Sequence, residues 1–302
     1  MYPEYSFIGK EKMCEEVDLA FPSQHQDRQP GLEYLMEPKP IFDNPYYKPS
    51  GKLKGKVAII TGGDSGIGKA TSVLFAKEGA SVVIVYLNED KDAEDTANYI
   101  KSIGGEVSLI RCDLTKSNND KEVVKKVIKK YGHVDILVNN IAVQFIKDDF
   151  TKITDEQLEL TYKTNVFSYF YMIREVLPYL KEGDSIINTT SVTAYQGEKK
   201  LIDYSSTKGA IVSLTRSLSL SLADKGIRVN AVAPGPIWTP LIPASYSAKE
   251  VETFGTYTSK VPMNRAGQPF EVATSFLFLA SDDSRYMSGQ VLHPNGGTIT
   301  ES

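Results

Sequence analysis

The chain has 302 residues, of which 41% are hydrophobic and 24% are charged, a composition typical of a globular protein rather than a disordered one. With 34 Lys and Arg against 38 Asp and Glu, the formal net charge is −4. A weakly acidic chain without a strongly basic segment argues against nucleic acid or an anionic membrane surface as the main partner.

The first part of the chain differs in composition from the rest. Seven of the fifteen prolines lie before residue 50, and proline is disfavoured inside helices and central strands. The same segment is rich in aromatic side chains, for which a free linker has little use. We predict that residues 1–53 form an extended arm that packs on the body or on a neighbouring subunit. A disordered tail is the alternative.

From Lys54 onward, short apolar runs alternate with helical stretches. The predicted strands are Val57–Thr61, Val82–Leu87, Val107–Leu114, Ile136–Asn140, Ser185–Ser191, Arg228–Ala233 and Gln290–Pro294. The predicted helices are Gly66–Lys77, Lys91–Ile103, Asn119–Tyr131, Asp155–Leu180, Tyr204–Lys225 and Phe270–Ser281. Strands rich in Val and Ile without strict alternation are typical of parallel sheets buried on both faces. Residues 54–302 are therefore predicted to form a single Rossmann-like, doubly wound α/β domain with about seven parallel strands and helices on both faces.

A glycine-rich loop joins the first predicted strand to the first predicted helix. Glycines at 62, 66 and 68 allow the backbone to approach a pyrophosphate closely, and the first N–H groups of the helix point at that anion. The position of the loop in a βαβ unit favours a dinucleotide site, although its GxxxGxG spacing differs from the GxGxxG fingerprint.

The segment Tyr86–Asp90 at the end of the second strand bears on the choice of cofactor. An NADP site is expected to place Arg or Lys there for the 2′-phosphate, whereas this loop is acidic. Asp64 and Ser65 in the glycine-rich loop also lack a positive charge, so the sequence favours NAD over NADP. Tyr86 stands where an NAD-specific Asp is expected, which leaves the use of both cofactors open.

Tyr204 and Lys208 are spaced to lie on one face of a helix. A free tyrosine titrates near ~10, and a neighbouring ammonium lowers that pKa towards the range needed for acid–base work. The pair alone is also common on solvated helix faces. Ser191, however, ends the fifth predicted strand, where ligands bind in parallel sheets. Asn165 lies within a predicted helix although asparagine has a low helix propensity. Its position indicates either a functional role or a helix-bending hydrogen bond.

Six motifs follow one another in a fixed order: Gly62-xxx-Gly66-x-Gly68, Asn139-Asn140, Asn165, Ser191, Tyr204-xxx-Lys208 and Pro234-Gly235. In this order and spacing the chain resembles the short-chain dehydrogenase/reductase family over about residues 54–297, and in that family GxxxGxG replaces GxGxxG. Two features depart from the family pattern. Ile141-Ala142 stands where Ala-Gly is common, and the minimal family lacks the arm, in which Pro22–Pro40 is similar to the arm of a bacterial subgroup.

The resemblance implies an NAD(P)-dependent oxidoreductase that interconverts an alcohol and a carbonyl by hydride transfer. The alternative is an NAD(H)-binding sensor or scaffold with little turnover. In the family's pattern Tyr204 is the general acid and base, Lys208 lowers its pKa and holds the nicotinamide ribose, Ser191 positions the substrate oxygen, and Asn165 holds a relay water. The implied cofactor site consists of Gly62, Asp64, Ser65, Gly66, Ile67, Gly68, Leu87, Asp113, Leu114, Asn139, Tyr204, Lys208, Pro234, Gly235, Ile237 and Thr239.

The remaining expectations concern the substrate and the assembly. Residues 241–262, which include Tyr246, Phe254 and Tyr257, resemble the segment that closes over the substrate, although a surface helix pair is also possible. That segment has no Arg clamp, so we expect a small neutral alcohol or carbonyl substrate, and the three histidines are too far apart for a metal site. Without a signal-like N-terminus or a membrane-length apolar run, we expect a cytoplasmic protein. The resemblance implies a homotetramer through the apolar faces of the fourth and fifth long helices, which carry Phe167, Phe170, Ile211 and Leu218.

Overall fold

A parallel β-sheet forms the centre of the fold. The computed structural model of the chain describes residues 10–12, 16–18, 20–256 and 261–300. The strands of the sheet are β1 (Val57–Thr61), β2 (Ser81–Tyr86), β3 (Glu106–Arg111), β4 (Ile136–Asn139), β5 (Ser185–Thr189), β6 (Arg228–Val232) and β7 (Val291–Leu292). They hydrogen-bond in the order β3-β2-β1-β4-β5-β6-β7, all in parallel. The strand order reverses between β1 and β4, which creates a crevice at the carboxyl ends of these two strands.

Helices cover both faces of this sheet. They are α1 (Gly66–Lys77), α2 (Asp90–Ser102), α3 (Asn119–Tyr131), α4 (Asp155–Tyr162), α5 (Ser168–Val176), α6 (Thr193–Gln196), α7 (Ile202–Leu222), α8 (Ala248–Glu252) and α9 (Pro269–Ala280). Helices α1, α2 and α9 pack on one face of the sheet, and α3, α5 and α7 pack on the other. The predicted fold class is therefore confirmed.

The apolar strands supply both halves of the core. On β1, Val57 and Ile59 point into the cluster beneath α3 and α5, whereas Ala58 and Ile60 point into the cluster beneath α1 and α9. Successive side chains of a strand face opposite sides of the sheet. Because helices cover both sides, every position of β1 is buried, which explains why the strands show no polar alternation.

The predicted helix Asp155–Leu180 is wrong as a single α-helix. A π-helical turn at Lys163–Phe167 separates α4 from α5, and a 3-10 turn at Leu177–Tyr179 follows. The side chain of Asn165 bonds to a neighbouring loop from within the π turn, and Pro178 lacks the N–H that would continue α5.

Short elements escaped the sequence patterns. Helices α6 and α8 have four and five residues, too few for a 3.6-residue period to show. The last strand is two residues long rather than Gln290–Pro294, because only two of its residues pair with β6. Inside the predicted arm, Lys10–Lys12 and Glu16–Asp18 form an antiparallel pair of strands, and Glu33–Leu35 forms a 3-10 turn.

Residues 20–53 lie against the body of the protein. Phe21 stacks on Trp238 with ring centroids 3.8 Å apart. These two residues and Met36 form a small apolar cluster with side chains of segment 241–262. Trp238 is fully buried, so it packs in this cluster and does not line the cleft. Residues 1–9, 13–15, which include Cys14, and 19 lie outside the described residues. The arm boundary at residue 53 therefore stays a prediction.

Candidate active site

A cleft of about 780 Å³ opens at the carboxyl ends of the parallel strands. Its position at the reversal of strand order and its volume are typical of a ligand site. The predicted site residues that line it are Gly62, Asp64, Ser65, Gly66, Ile67, Leu87, Asp113, Leu114, Ser191, Tyr204, Lys208, Pro234, Gly235, Ile237 and Thr239. The fold thus brings together groups that are up to 177 residues apart in the chain.

The glycine-rich loop approaches the wall of the cleft with its backbone. A Cβ at Gly68 would lie 1.8 Å from the carbonyl oxygen of Gly62, so only glycine lets α1 begin this close to the loop. Gly66 has a φ of +52° and lies against Thr239, where a Cβ would be 3.1 Å from the threonine side chain. The loop is therefore a backbone surface that fits a bound pyrophosphate, although Gly68 itself lies behind the surface of the cleft.

A carboxylate from the arm contacts the same loop. Glu33 accepts a hydrogen bond from the backbone N–H of Gly66 at 2.7 Å and from Lys69 Nζ at 2.7 Å. Burial outweighs the attraction of Lys69 and raises the pKa of the Glu33 carboxyl. The carboxylate of Asp92 accepts the backbone N–H groups of Glu33 and Tyr34, which holds the arm over the start of α1 and α2. Nothing in the sequence pattern pointed to these contacts.

Acidic groups surround the end of β2. Glu89 lines the cleft with only 3% of its surface exposed, and Asp64 is buried beside it. Burial, followed by the charge of Glu89, raises the pKa of Asp64 to about 7. The arm supplies a cation here, because Arg28 Nη2 donates to Asn88 Oδ1 at 2.7 Å and to Glu89 Oε1 at 3.1 Å. The sequence suggested no cation at this place because Arg28 is 60 residues away from this loop.

Tyr204 and Ser191 face each other in the cleft. Tyr204 lies in the first turn of α7 and is 8% exposed, and Ser191 follows β5. Burial raises the pKa of Tyr204 to about 12, although a hydrogen bond with Ser191 lowers it. The backbone N–H of Tyr204 donates to Asp203 Oδ1, and Asp203 Oδ2 accepts from Gln157 and Thr161 of α4. Asp203 thereby fixes the start of α7 against α4.

Lys208 lies one turn after Tyr204 and is fully buried. Its Nζ donates to the carbonyl oxygen of Thr189 at 2.9 Å and lies 5.5 Å from the ring centroid of Tyr204. Burial lowers the pKa of Lys208 to about 7. Tyr169, which the sequence did not single out, completes this pocket with its ring centroid 5.7 Å from Lys208 Nζ. Tyr204 and Lys208, the pair expected to carry the acid–base chemistry, therefore lie together in a buried part of the cleft wall.

Asn165 occupies the π turn and does not line the cleft. Its Oδ1 accepts from Val143 N at 2.8 Å, and its Nδ2 donates to Val143 O at 2.9 Å and to Thr207 Oγ1 at 3.1 Å. The side chain thus joins the π turn to α7 and to the loop after β4. Asn139 is also behind the cleft, where it donates to Asn188, and its neighbour Asn140 lines the cleft instead.

Polar side chains surround the part of the cleft beyond Tyr204. Lys200 lies 2.9 Å from Glu250 and 3.1 Å from Asp148, so its charge is paired. Among the described residues that line this part of the cleft, Lys200 is thus a cation already paired with two carboxylates. Further polar groups that line it include Gln144, Thr193, Gln196, Glu198 and Tyr246.

The segment 241–262 contributes to this wall as far as the structure describes it. It contains α8, which begins with a capping box between Ser247 and Glu250. Tyr246 and Phe254 line the cleft, whereas the predicted lid residue Tyr257 lies outside the described residues. Of the described helices, none is long and apolar enough to cross a membrane.

The chain is similar to known oxidoreductases. A family model described as enoyl-(acyl carrier protein) reductase matches residues 62–298. An uncharacterized oxidoreductase of Bacillus subtilis, YhxC, is 60% identical over 95% of this chain and 99% of its own length. The glucose and ribitol dehydrogenase of Daucus carota is 53% identical over 92% of this chain and 97% of its own. A short-chain dehydrogenase from Burkholderia cenocepacia, solved in complex with NADP, superposes with a TM-score of 0.75 at 27% identity, covering 82% of this chain and 98% of that one.

Proposed function

Because this chain belongs to the short-chain dehydrogenase/reductase family of NAD(P)-dependent oxidoreductases, we propose that Tyr204, Ser191, Lys208 and Asn165 carry its alcohol–carbonyl interconversion. The single observation that supports this most strongly is the shared pocket of Tyr204, Ser191 and Lys208 beside the glycine-rich loop. The bound nicotinamide supplies or accepts the hydride, and the protein supplies orientation and the proton.

Each of the four residues has a distinct part in this proposal. Ser191 donates a hydrogen bond to the substrate oxygen and Tyr204 Oη transfers the proton to or from it. Lys208 is placed to stabilise a Tyr204 phenolate, since its Nζ lies 5.5 Å from the ring centroid. Asn165 positions α7 through Thr207 and the loop after β4 through Val143. Its implied role in holding a relay water belongs to the same proposal.

NAD is the proposed cofactor in preference to NADP. The end of β2 presents Glu89 to the cleft, 21 residues after Gly68, which is about where an acidic residue bonds the ribose hydroxyls in NAD sites. Asp64 adds a second buried carboxyl beside it. A 2′-phosphate carries about two negative charges at neutral pH and is disfavoured next to these groups.

The proposed substrate is a small neutral polyol or sugar and its carbonyl form. The wall beyond Tyr204 offers amide and hydroxyl groups from Gln144, Thr193 and Gln196, which suit a molecule with several hydroxyls. Its carboxylates Glu198 and Glu250 oppose an anionic substrate. The name of the carrot relative, glucose and ribitol dehydrogenase, agrees with this class.

A cytoplasmic homotetramer is the proposed assembly. Phe167 and Phe170 are 42% and 50% exposed on the stretch formed by the π turn and α5, as an interface would require. Ile211 is instead fully buried in its own subunit, and Leu218 packs against the core, so these two contribute little to an interface.

Replacing Tyr204 by Phe tests the assignment. With NAD and a panel containing glucose and ribitol, we expect turnover, measured by absorbance of the reduced nicotinamide, to fall roughly a hundredfold or more. Tyr286→Phe, which changes a fully exposed tyrosine, is the matched control and should keep wild-type turnover. If Tyr204→Phe turned over at more than about a third of the wild-type rate, the proposed mechanism would be wrong.

A further inference from the structure

The arm forms part of the wall of the dinucleotide cleft. Gln29, Pro30 and Gly31 line the same cavity as the glycine-rich loop and the end of β2. The preceding residue, Arg28, bonds to Asn88 and Glu89 at that end of β2. The segment thus crosses the cleft rather than lying on a remote surface.

Both sides of the cleft hold the arm in place. The side-chain amide of Gln29 bonds to both the N–H and the carbonyl oxygen of Gln144 and donates to Ala244 O at 3.3 Å. A Cβ at Gly31 would lie 2.3 Å from Pro240 O, so the backbone fits closely here. Glu33 then bonds to Gly66 and Lys69. These contacts fix the position of Arg28 relative to the cleft.

We propose that Arg28 is a specificity-determining residue for the dinucleotide, and that its positive charge sets how strongly Glu89 discriminates against a 2′-phosphate. The inference rests on the dinucleotide site proposed above. Glu89 lines the cleft and its side chain is 2% exposed, whereas Arg28 is the cation that pairs with it. The arm thereby supplies the basic residue that the end of β2 lacks.

The charge balance gives this proposal its direction. With Arg28 present, the negative charge of Glu89 is offset at the ribose end of the cleft. Without Arg28, Glu89 and the partly ionised Asp64 leave an excess of negative charge, which repels a 2′-phosphate more than a 2′-hydroxyl. Without the charge of Glu89, Arg28 becomes available to pair with a 2′-phosphate.

The two cofactors differ only in that phosphate, so the ratio of their dissociation constants isolates the effect. The experiment titrates the full-length protein with NADH and with NADPH, following the fluorescence of the bound nicotinamide at fixed ionic strength. The variants are Arg28→Met, Arg28→Gln, which keeps a donor for Asn88, and Glu89→Gln. Arg285→Met removes an exposed cation that pairs with Asp282 and is the matched control.

We expect the ratio Kd(NADPH)/Kd(NADH) to rise about tenfold in both Arg28 variants and to fall about tenfold in Glu89→Gln. The ratio should stay constant in the control. A tenfold change corresponds to about 1.4 kcal/mol. Loosening of the arm would weaken both cofactors alike and leave the ratio unchanged. A ratio within twofold of wild type in the Arg28 and Glu89 variants, or a change in the opposite direction, overturns the inference while leaving the proposed function intact. If the wild type bound neither cofactor, the proposed function would fail as well.

Discussion

The ion pair between Glu33 and Lys69 offers a direct test of how the arm stabilises the fold. In Glu33→Gln, the amide oxygen can still accept the N–H of Gly66, but Lys69 loses its carboxylate. The Glu33 and Lys69 side chains are 4% and 10% exposed, so the ammonium remains in a poorly solvated place. Removing one partner of a buried pair costs about 3–5 kcal/mol, and the retained amide contact places this variant near 3 kcal/mol.

The double variant Glu33→Gln/Lys69→Met distinguishes a charge effect from a packing effect. Because burial raises the pKa of Glu33, ionising this carboxyl is less favourable in the folded chain than in the unfolded chain. Removing both charges should therefore cost no more than removing one, about 3 kcal/mol. If Lys69→Met alone also costs about 3 kcal/mol, the double variant falls short of the sum of the two single variants by a coupling energy of about 3 kcal/mol.

Thermal unfolding at pH 7 and constant protein concentration measures these differences. For a chain of this size, 3 kcal/mol corresponds to a decrease in Tm of about 5 °C. The control is Lys125→Met, which removes an exposed cation that pairs with Glu122 and should change the free energy of unfolding by less than about 0.5 kcal/mol. Additive effects of the two single variants, or an unchanged Tm in Glu33→Gln, would refute the reasoning.

Two further predictions concern buried groups. Burial lowers the pKa of Lys208 to about 7 in the folded chain, whereas the ordinary pKa of a lysine is 10.5. Between these two values the unfolded chain binds more protons, so stability rises with pH across that window. Lys208→Met should remove this rise, which is about 1.4 kcal/mol per pH unit, and parallel pH profiles of Tm for wild type and variant would contradict it. Phe21→Ala should cost about 3 kcal/mol because it removes a buried ring stacked on Trp238. Limited proteolysis should then cut the arm faster, and an unchanged cleavage rate would show that this stacking does not hold it.

Local signals in the sequence were sufficient for most of the central fold. The apolar run of β1 and the period of α1 are properties of neighbouring residues, and both elements lie where the sequence predicts them. The same holds for Tyr204 and Lys208, because a four-residue spacing on a helix fixes which face they share. The position of Ser191 followed from the rule that parallel strands place their carboxyl ends at one edge of the sheet.

Contacts between distant segments left no such signal. The π turn at Asn165 depends on hydrogen bonds to Val143, 22 residues away, and a helical period cannot report them. Glu33 and Arg28 bond to residues that line the cleft, and they do so from an arm whose prolines indicated only that it is neither helix nor central strand. Their partners, Gly66 and Glu89, are 33 and 61 residues further on. Predicting such pairs requires the path of the arm across the cleft.

The sequence led us to expect that Lys208 lowers the pKa of Tyr204, and the geometry qualifies that expectation. Lys208 Nζ donates to Thr189 O, and burial acts on both groups in opposite directions, raising the pKa of Tyr204 to about 12 and lowering that of Lys208 to about 7. At neutral pH Tyr204 therefore keeps its proton, which is the form needed to protonate a carbonyl oxygen during reduction. Oxidation of an alcohol needs the phenolate, whose formation becomes easier as pH rises. If Tyr204 is the general acid and base proposed above, we expect this pocket to favour reduction at neutral pH and oxidation at alkaline pH.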